Sequence, residues 1–516
     1  MTKFFLPIAF LFFTVTNAFS QVGALDTDFG TSGLITTDVP GNNDISSRVK
    51  VQDDGKIVLG GRCDEGPLPI MFLSRYDTTG VIDSDFGIDG IALSDINYFT
   101  TFSDLFIQTD GKFLVLGNSI ITAGQFDMAL TRMNTDGSID TDFGTDGSIF
   151  IDLGDTTNLG EAVIQLPDEK IVVIGHIGGG GTPQFSYSRF NSDGSLDTDF
   201  GDGGHVITAV PAISTIITRA FRTPDGKIAV CGFGIQSGDY NDSFIAVFTE
   251  DGTLKPEFGT DGIQWVDIST SSFFSYDMLV QPDNKILFIG TYTDDITGDT
   301  NMKIIRLNED GAYDTFFGDG GKVTIDFDGN NESGTSIELQ NDYSILVGGH
   351  SNVNGDRDFV LMRLENNGDI DNLFGTDGKT LTDFAGGDDK ALDIIMQSDF
   401  KILQAGQIND GGLRIGMARF FNNTIIETNI NTLNPNSVSL FPNPASDKIH
   451  IAGLPSNMNG GSFPITDITG RLVESVTITD FTGEVEINLP EHLNPGMYIL
   501  SIIKDDVFIV KNFIKQ

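Results

Sequence analysis

The sequence predicts an all-β protein: a seven-bladed β-propeller with four strands per blade, followed by a small β-sandwich C-terminal domain. Three observations carry this expectation. First, a Phe-Gly pair recurs at Phe29, Phe86, Phe143, Phe200, Phe258, Phe317 and Phe374, at intervals of 57, 57, 57, 58, 59 and 57 residues. That is the length of one four-stranded unit. Second, two companion motifs keep the same beat. A turn entering a strand reads "QDDGKIVLGG", "QTDGKFLVLG", "TPDGKIAVCG" and so on; a strand entering a turn reads "MFLSRYDTTG", "MALTRMNTDG", "MKIIRLNEDG" and so on. Third, the chain holds 61 Gly and 41 Phe but only 9 Tyr and 1 Trp, and Gly with many Val, Ile and Phe suits short strands joined by tight turns.

Within the first full unit the expected strands are "ISSRVKVQ", "KIVLGGRC", "IMFLSRYD" and "GIALSDI". Their apolar residues, such as Val51, Ile57 and Leu59, recur with period two and not 3.6. One four-stranded sheet cannot cover both of its faces, whereas seven arranged radially can, and a ring leaves only short edges. The phenylalanines are expected to plug the spaces between blades. The "DFG" they sit in lacks every companion motif of a kinase.

The ends of the repeat region indicate how the ring closes. The chain opens with "LDTDFGTSGLITTD" before the first full unit and ends the repeats on "GMARFF" with no following DFG segment. The strand near Leu34 to Asp38 is therefore expected to complete the last blade and to hide two edges. An Arg precedes each turn and an Asp follows eight residues later: Arg75 and Asp83, Arg132 and Asp140, Arg189 and Asp197, Arg306 and Asp314, Arg363 and Asp371. In the remaining interior repeat both positions change, to Val247 and Lys255. A hairpin sets such residues side by side, where opposite charges attract. Asp26 lacks a preceding Arg and Arg419 lacks a following Asp; closure of the ring would pair them.

The flanking segments differ in style. In "MTKFFLPIAFLFFTVTNAFSQ", Lys3, an apolar run from Phe4 to Val15 and the small residues Ala18 and Ser20 form a signal peptide, residues 1–20, with Gln21 the expected first residue of the mature chain. No later stretch approaches the roughly 18 apolar residues of a transmembrane helix, so none is expected in the mature chain. The propeller is expected over 21–421, an Asn-rich linker over 422–437 and the C-terminal domain over 438–516, where alternating strands and turn residues suit a small sandwich.

The formal net charge of -43 repels phosphate backbones and argues against nucleic acid as a partner. Cys63 and Cys231 are read as small buried residues, not a disulfide scaffold. No residue is nominated as catalytic, cofactor-binding or metal-ligating. The sequence lacks HExxH, GxSxG and paired CxxC motifs. In "RMNTDGSIDTDF" an EF-hand would place Arg132 first and Phe143 twelfth, the wrong chemistry for a calcium loop. No cofactor is expected, and calcium only adventitiously. Of five histidines (His176, His205, His350, His450, His492) the first and third occupy equivalent places and could project toward one face, though a structural role is the simpler reading. Trp265 is placed in the core or rim. The run "GHIGGGGTPQ" lacks a phosphate loop's Lys-Ser/Thr and reads as a rim loop.

In the tail, Phe441-Pro442-Asn443-Pro444, Asp467 with Thr469-Gly470-Arg471-Leu472-Val473, Leu493 with Pro495-Gly496-Met497-Tyr498, and the closing Lys511 and Phe513 resemble the type A C-terminal sorting domain of the type IX secretion system. "FPITDITG" departs from the usual apolar-Tyr-Asp entry. The resemblance implies a bacterium of the Bacteroidetes group, partnership with the type IX machinery, export through the periplasm, and release or attachment to surface lipopolysaccharide. The repeats, with their "LDTDFGTSG" pattern, resemble the delta-60 repeat family of predicted β-propellers, which carries no defined activity.

The leading functional expectation is a monomeric secreted or cell-surface binding and adhesion protein, not an enzyme, whose ligand is a polysaccharide or a protein. The alternatives are an extracellular hydrolase or lyase with carboxylates at the propeller mouth, and a passive matrix component. The evenness of the repeats favours the first.

Overall fold

The computed structural model describes residues 22–422, except 40–41, 66–67, 95–99, 121–124, 155–156, 179–181, 237, 239, 267–270, 295, 328 and 385, and much of 439–515. The expected signal peptide, nearly all of the expected linker, His492, the middle of the glycine run, and Asn443, Pro444, Thr469 to Arg471 and Pro495 of the tail lie outside the described residues, as do the side chains of Lys511 and Phe513. The described residues are strands and turns, and no helix is long and apolar enough to cross a membrane. Two compact units divide the chain, one of residues 22–423 and one that includes 424–516.

In the larger unit β1 (Leu34–Thr37) stands apart in sequence from its sheet. The first sheet holds β2 (Asn42–Val51), β3 (Ile57–Glu65), β4 (Leu68–Tyr76) and β5 (Ile91–Leu93). The second holds β6 (Thr100–Ile107), β7 (Phe113–Ser119), β8 (Asp127–Met133) and β9 (Ser148–Ile151). The third holds β10 (Thr157–Gln165), β11 (Ile171–Gly178), β12 (Gln184–Phe190) and β13 (His205–Ala209). The fourth is β14 (Ser214–Arg222), β15 (Ile228–Ile235), β16 (Asp242–Phe248) and β17 (Ile263–Val266). The fifth is β18 (Phe273–Val280), β19 (Ile286–Thr293), β20 (Thr300–Leu307) and β21 (Lys322–Ile325). The sixth is β22 (Glu332–Leu339), β23 (Ile345–Ser351), β24 (Asp358–Leu364) and β25 (Lys379–Thr382). The last combines β26 (Lys390–Met396), β27 (Ile402–Asn409) and β28 (Leu413–Phe420) with β1, which lies against β28 with Leu34 opposite Ala418. All pairings in these sheets are antiparallel. The first strand of each sheet packs on the preceding sheet, and β2 packs on β26, β27 and β28. The last sheet therefore meets the first.

The cores lie between sheets. Val49, Leu59 and Phe72 of the first sheet meet Leu403, Ile415 and Met417 of the last, with Phe29 from the turn before β1. This arrangement changes the expected alternation. Every residue of β7 and of β8 is buried, because a neighbouring sheet covers each face, and a strand buried on both faces reads as a continuous apolar run. Alternation survives in the first strands: β10 alternates half-buried and buried residues up to its bulge.

Each first strand carries a bulge at the same place, between Ser46 and Arg48, Phe102 and Asp104, Gly160 and Ala162, Ile217 and Arg219, Ser275 and Asp277, Gly334 and Ser336, and Ala391 and Asp393, and β2 has a second irregularity between Asn42 and Ile45. Next to the bulge the first-strand carbonyl crowds the second strand. A methyl on Gly117 would lie 1.9 Å from the Thr101 carbonyl oxygen, and one on Gly175 would lie 2.1 Å from that of Leu159. Such close backbone approach demands glycine, which explains the glycine that follows each apolar run of the turn-to-strand motif.

The Arg–Asp pairs form as the spacing predicts. Arg75 Nε lies 2.8 Å from Asp83 Oδ2, Arg132 Nε 2.7 Å from Asp140 Oδ2 and Arg189 Nε 2.7 Å from Asp197 Oδ2. Across the ring closure Arg419 Nε and Nη2 both lie 2.7 Å from Asp26 Oδ2. Each of these arginines also covers the face of its own phenylalanine, 4.1–4.4 Å from the ring centre. The Nη1 of Arg75 donates to the Thr135 carbonyl, and that of Arg419 to the Thr78 carbonyl, both in the turn of the next sheet. The glycine after the phenylalanine also crosses to the next sheet's turn: Gly30 N donates to Thr79 O and Gly87 N to Asp136 O, while Gly375 N donates to Val22 O at the ring closure. Sequence reading missed the lysine of the turn-to-strand motif, which also holds the Asp: Lys56 on Asp83, Lys112 on Asp140 and Lys401 on Asp26, at 2.8–2.9 Å.

The smaller unit has two sheets. One is β29 (Ser439–Phe441), β30 (Lys448–Ala452) and β33 (Glu484–Asn488); the other is β31 (Ser462–Asp467), β32 (Leu472–Thr477), β34 (Gly496–Lys504) and β35 (Val507–Lys515). Ile449, Ile451, Phe463, Ile465 and Leu500 share one buried cluster.

Two predictions follow from the hooks. Asp26→Ala leaves Arg419 buried without its carboxylate and is expected to cost about 3 kcal/mol of unfolding free energy, read by urea denaturation. In the repeat that lacks a hook, Val247→Arg alone should destabilise and Lys255→Asp added to it should rescue, with a coupling of about 1 kcal/mol or more in a double-mutant cycle.

Candidate functional site on the axis

The residue after each bulge faces a shared axis. In order these are Arg48, Asp104, Ala162, Arg219, Asp277, Ser336 and Asp393. Arg219 is the hub. Its Nε lies 2.8 Å from Asp277 Oδ1, its Nη1 3.3 Å from Asp104 Oδ1 and its Nη2 3.6 Å from Asp393 Oδ1. Arg48 Nε adds a second cation 3.2 Å from Asp104. Ser336 Oγ bridges Asp277 and Asp393 at 2.9 and 3.1 Å. Each aspartate also accepts a backbone N–H from a neighbouring sheet: Val163 on Asp104, Ile337 on Asp277 and Val49 on Asp393, at 2.9–3.1 Å. Buried charges persist only when paired and hydrogen-bonded, and here three carboxylates share two guanidinium groups.

Beside this ring opens a cavity of about 540 Å³. First strands from six of the seven sheets line it, through Arg48, Glu161, Thr218, Tyr276, Thr335 and Lys390. Glu161, Thr218, Tyr276 and Thr335 are the extra residues of their bulges, so the same irregularity that demands glycine on the second strand aims side chains into the cavity. His350 and Arg357 complete the wall on the sixth sheet, and Phe233 on the fourth.

The titrating groups here are shifted by burial. The Glu161 carboxyl is pushed up to about 8, with Arg48 opposing the shift and Asp104 adding to it. Burial pushes His176 down to about 4. Burial, reinforced by Arg357, does the same to His350. The Nδ1 atoms of both histidines are buried and unpartnered, and His176 Nδ1 stands 3.8 Å from Glu161 Oε1. Near pH 7 the pair is thus a neutral carboxyl beside a neutral imidazole. Past the ring, Glu338 is pushed up to about 7, chiefly by burial and against the nearby Lys50.

The equivalence of His176 and His350 thus placed both at this end of the axis. Trp265 lies apart from the cavity, packed on Phe244 with ring centres 5.1 Å apart. His205 Nδ1 meets Ser188 Oγ at 2.8 Å, and His450 stacks on Phe441 in the smaller unit. Cys63 and Cys231 are free and buried. In the acidic turn Asn191–Gly204 the polar groups serve the turn itself: Asp193 Oδ1 accepts from Ser195 N and Oγ, and Asp197 accepts from Lys170 and Arg189. Carboxylate oxygens of Asp358, Asp383 and Asp389 come within 4.8 Å of one another. Asp389 accepts the N–H groups of Phe384 and Asn409, and Asp358 accepts the Asn354 amide. Between the second and third sheets Asn158 of β10 takes the place of Asp389 and donates to Asp127 of β8, so the position also serves as a lock on a strand end.

Comparison with known proteins fits this geometry. Residues 108–143, 166–200, 281–317 and 340–374 match the family model "Domain of unknown function (DUF5122) beta-propeller", and each stretch ends on one of the recurring phenylalanines. Residues 439–516 match "Secretion system C-terminal sorting domain". The chain is a β-propeller with a type IX sorting tail. The tail engages the type IX machinery and directs export to the extracellular or cell-surface space. No curated protein matches the chain. Similar solved structures include a virginiamycin B lyase from Staphylococcus aureus, with 12% identity over 74% of this chain and 98% of that one at a TM-score of 0.43. An ulvan lyase, at 12% identity, covers 75% and 96% with a TM-score of 0.43. Sqt1 of Chaetomium thermophilum, at 13% identity, covers 74% and 98% with a TM-score of 0.33. What those proteins bind or cleave remains theirs.

In this propeller Arg219→Ala leaves Asp104, Asp277 and Asp393 facing one another. The expected cost is about 3–5 kcal/mol at neutral pH; urea unfolding checks it. Glu161 supplies a pH dependence. Its folded pKa of about 8 lies above the ordinary 4.5, so its bound proton favours the folded state. That contribution is complete below about pH 4.5 and is lost as pH rises through about 8. Glu161→Gln is expected to raise the melting temperature over the parent near pH 9 and to leave it nearly unchanged near pH 5.

Proposed function

We propose that the chain is a secreted or surface-attached, monomeric binding protein: a seven-bladed propeller over 21–421, a linker over 422–437 and a β-sandwich sorting domain over 438–516. Its ligand, an extracellular polysaccharide or protein, docks at the axial cavity and leaves unchanged. The observation that carries this reading is the cavity itself. Its lining residues come from first strands that are bulged at the same place in every sheet, and they differ from sheet to sheet: Arg48, Glu161, Thr218, Tyr276, Thr335, Lys390. A purely structural axis has no need of such variety. Beneath them the Arg219 ring fills the axis, so the site is a blind pocket and not a pore. The seven sheets complete one another within the chain, so a monomer needs no second copy to cover an edge.

A second reading, a hydrolase or lyase, draws on Glu161, a carboxyl that holds its proton at neutral pH as a general acid must. The described cavity lining holds no second carboxylate, and glycoside hydrolysis ordinarily uses two. Binding therefore ranks first.

The test is retention of the full chain on immobilised polysaccharides and matrix proteins, with the length of each eluted polysaccharide measured. Retention on one class, weakened about tenfold by Tyr276→Ala, is the expected result. Retention indifferent to Tyr276→Ala removes the ligand from the axial cavity. Shortening of a polysaccharide, abolished in Glu161→Gln, replaces binding with catalysis. Neither retention nor shortening leaves a passive matrix component.

A further inference from the structure

The polarity of the axial cavity runs against that of the whole protein. The chain holds 73 Asp and Glu against 30 Lys and Arg. The cavity lining holds three cations, Arg48, Arg357 and Lys390, against the single carboxyl of Glu161, which stays protonated near neutral pH. A cavity of about 680 Å³ at the opposite ends of the first strands makes the contrast: Asp53, Asp54 and Arg222 are its charged residues, among the amides of Gln52, Gln108 and Gln165. The two ends of the axis share the same repeat, so the difference lies in the side chains alone.

The cations are also segregated. Arg357, Lys390 and Arg48 come from the sixth, last and first sheets, which are neighbours in the ring. Arg48 and Arg357 are held by Asp104 and Asp388. Lys390 has no carboxylate within ion-pair distance among the described residues. Facing them, the fourth and fifth sheets supply an apolar wall. Phe233 meets Phe274 edge-on with ring centres 5.0 Å apart and Tyr276 with ring centres 6.5 Å apart. Tyr276 and Ile216 are 38% and 42% exposed, and both line the cavity. Between the two walls stand Thr218 and Thr335, whose hydroxyls donate to the Ser275 and Ala391 carbonyls and keep lone pairs to accept from a ligand, Ser333, whose hydroxyl pairs with that of Thr291, and the unpartnered, buried Nδ1 of His350.

An aromatic face, a cationic face and a set of hydroxyls between them fit one ligand chemistry. A sugar ring lays its C–H face on an aromatic ring, its hydroxyls exchange hydrogen bonds with Thr and Ser, and an acidic substituent meets Arg and Lys in charge-assisted hydrogen bonds. We infer that the axial cavity recognises an acidic saccharide, a carboxylate- or sulfate-bearing residue of an extracellular polysaccharide, with the anion on Lys390 and Arg357 and the ring on Tyr276 and Phe233. This rests on the binding reading proposed above and adds the ligand class. The negative surface does not prevent it. Exposed charges beyond about 8 Å are largely screened at physiological ionic strength, whereas Lys390 and Arg357 act at contact.

Calorimetric titration of the full chain tests it with three probes: oligogalacturonate, a sulfated galactan fragment and a neutral dextran fragment. Lys390→Gln, Arg357→Gln and Tyr276→Ala are run beside the parent, with thermal melting to show that each variant folds. The expected result is binding of an acidic probe, weakened about tenfold or more by Lys390→Gln or Arg357→Gln, the effect of one charge-assisted hydrogen bond, with dextran unbound. Whether the carboxylate or the sulfate probe binds decides the anion. Dextran binding as tightly as the acidic probes, lost in Tyr276→Ala, overturns the acidic class while the cavity stands as the binding site. Acidic-probe binding unaffected by all three variants overturns both.

Discussion

Everything in the larger unit depends on one repeated hook between neighbouring sheets. Its parts are an Arg, an Asp eight residues later, a Phe beneath the guanidinium, and a Gly whose N–H crosses to the next turn. A four-stranded sheet alone has two open faces and no stability to spare. The hook joins sheets at fixed geometry by three different forces. The buried phenylalanine supplies the area, the Arg–Asp pair supplies direction, and the crossing N–H bonds set register. Because Arg75 and Arg419 both reach carbonyls in the next sheet, an unpaired charge in one hook disturbs two sheets. In an open stack that disturbance would end at a terminus. Here Asp26 and Arg419 join the last sheet to the first, so each hook is supported from both sides.

The ring closure shows how far the sequence alone reaches. The offset of Asp26 and Arg419 at the two ends of the repeats predicted their contact, and the joint change to Val247 and Lys255 predicted the pairs themselves. Both inferences work because the partners sit at a fixed sequence offset within each repeat. The lysine of the turn-to-strand motif sits about 27 residues away from the same aspartate, on another hairpin, and nothing local couples the two. It was missed although it stands in plain view in most repeats. Strand burial was misjudged for a different reason. Alternation assumes one wet face, and β7 and β8 have none.

The axial site was less legible still. No motif marks it, since its members come from six sheets and each is a single residue in an ordinary strand. One signal was available. Four residues before the first residue of each turn-to-strand motif, the chain reads Arg48, Asp104, Ala162, Arg219, Asp277, Ser336 and Asp393. Charged residues at one register of an otherwise apolar strand are costly unless they meet, and in a ring they can meet only on the axis. The equivalence of His176 and His350 was visible, but a structural role was the reading preferred for both. Glu161 was not visible, because the bulge that turns it into the cavity leaves no trace in residue type.

The same bulge links stability to the shape of the axial cavity. It forces glycine on the second strand, sets the Arg219 ring in place and turns the preceding side chain outward from that ring. Side chains of the ring are fixed by their pairing: Arg219 touches three aspartates and cannot be exchanged without all of them. The bulge residues carry no such obligation. Glu161, Thr218, Tyr276, Thr335 and Leu392 occupy the same place in five sheets and range from a carboxyl through hydroxyls and a phenol to an alkyl group. A protein built this way can change the lining of its axial cavity by altering the bulge residue and keep its fold by retaining the residue that follows. The contrast between a cationic mouth and an acidic exterior is then a local choice at a few positions, made on a scaffold indifferent to it.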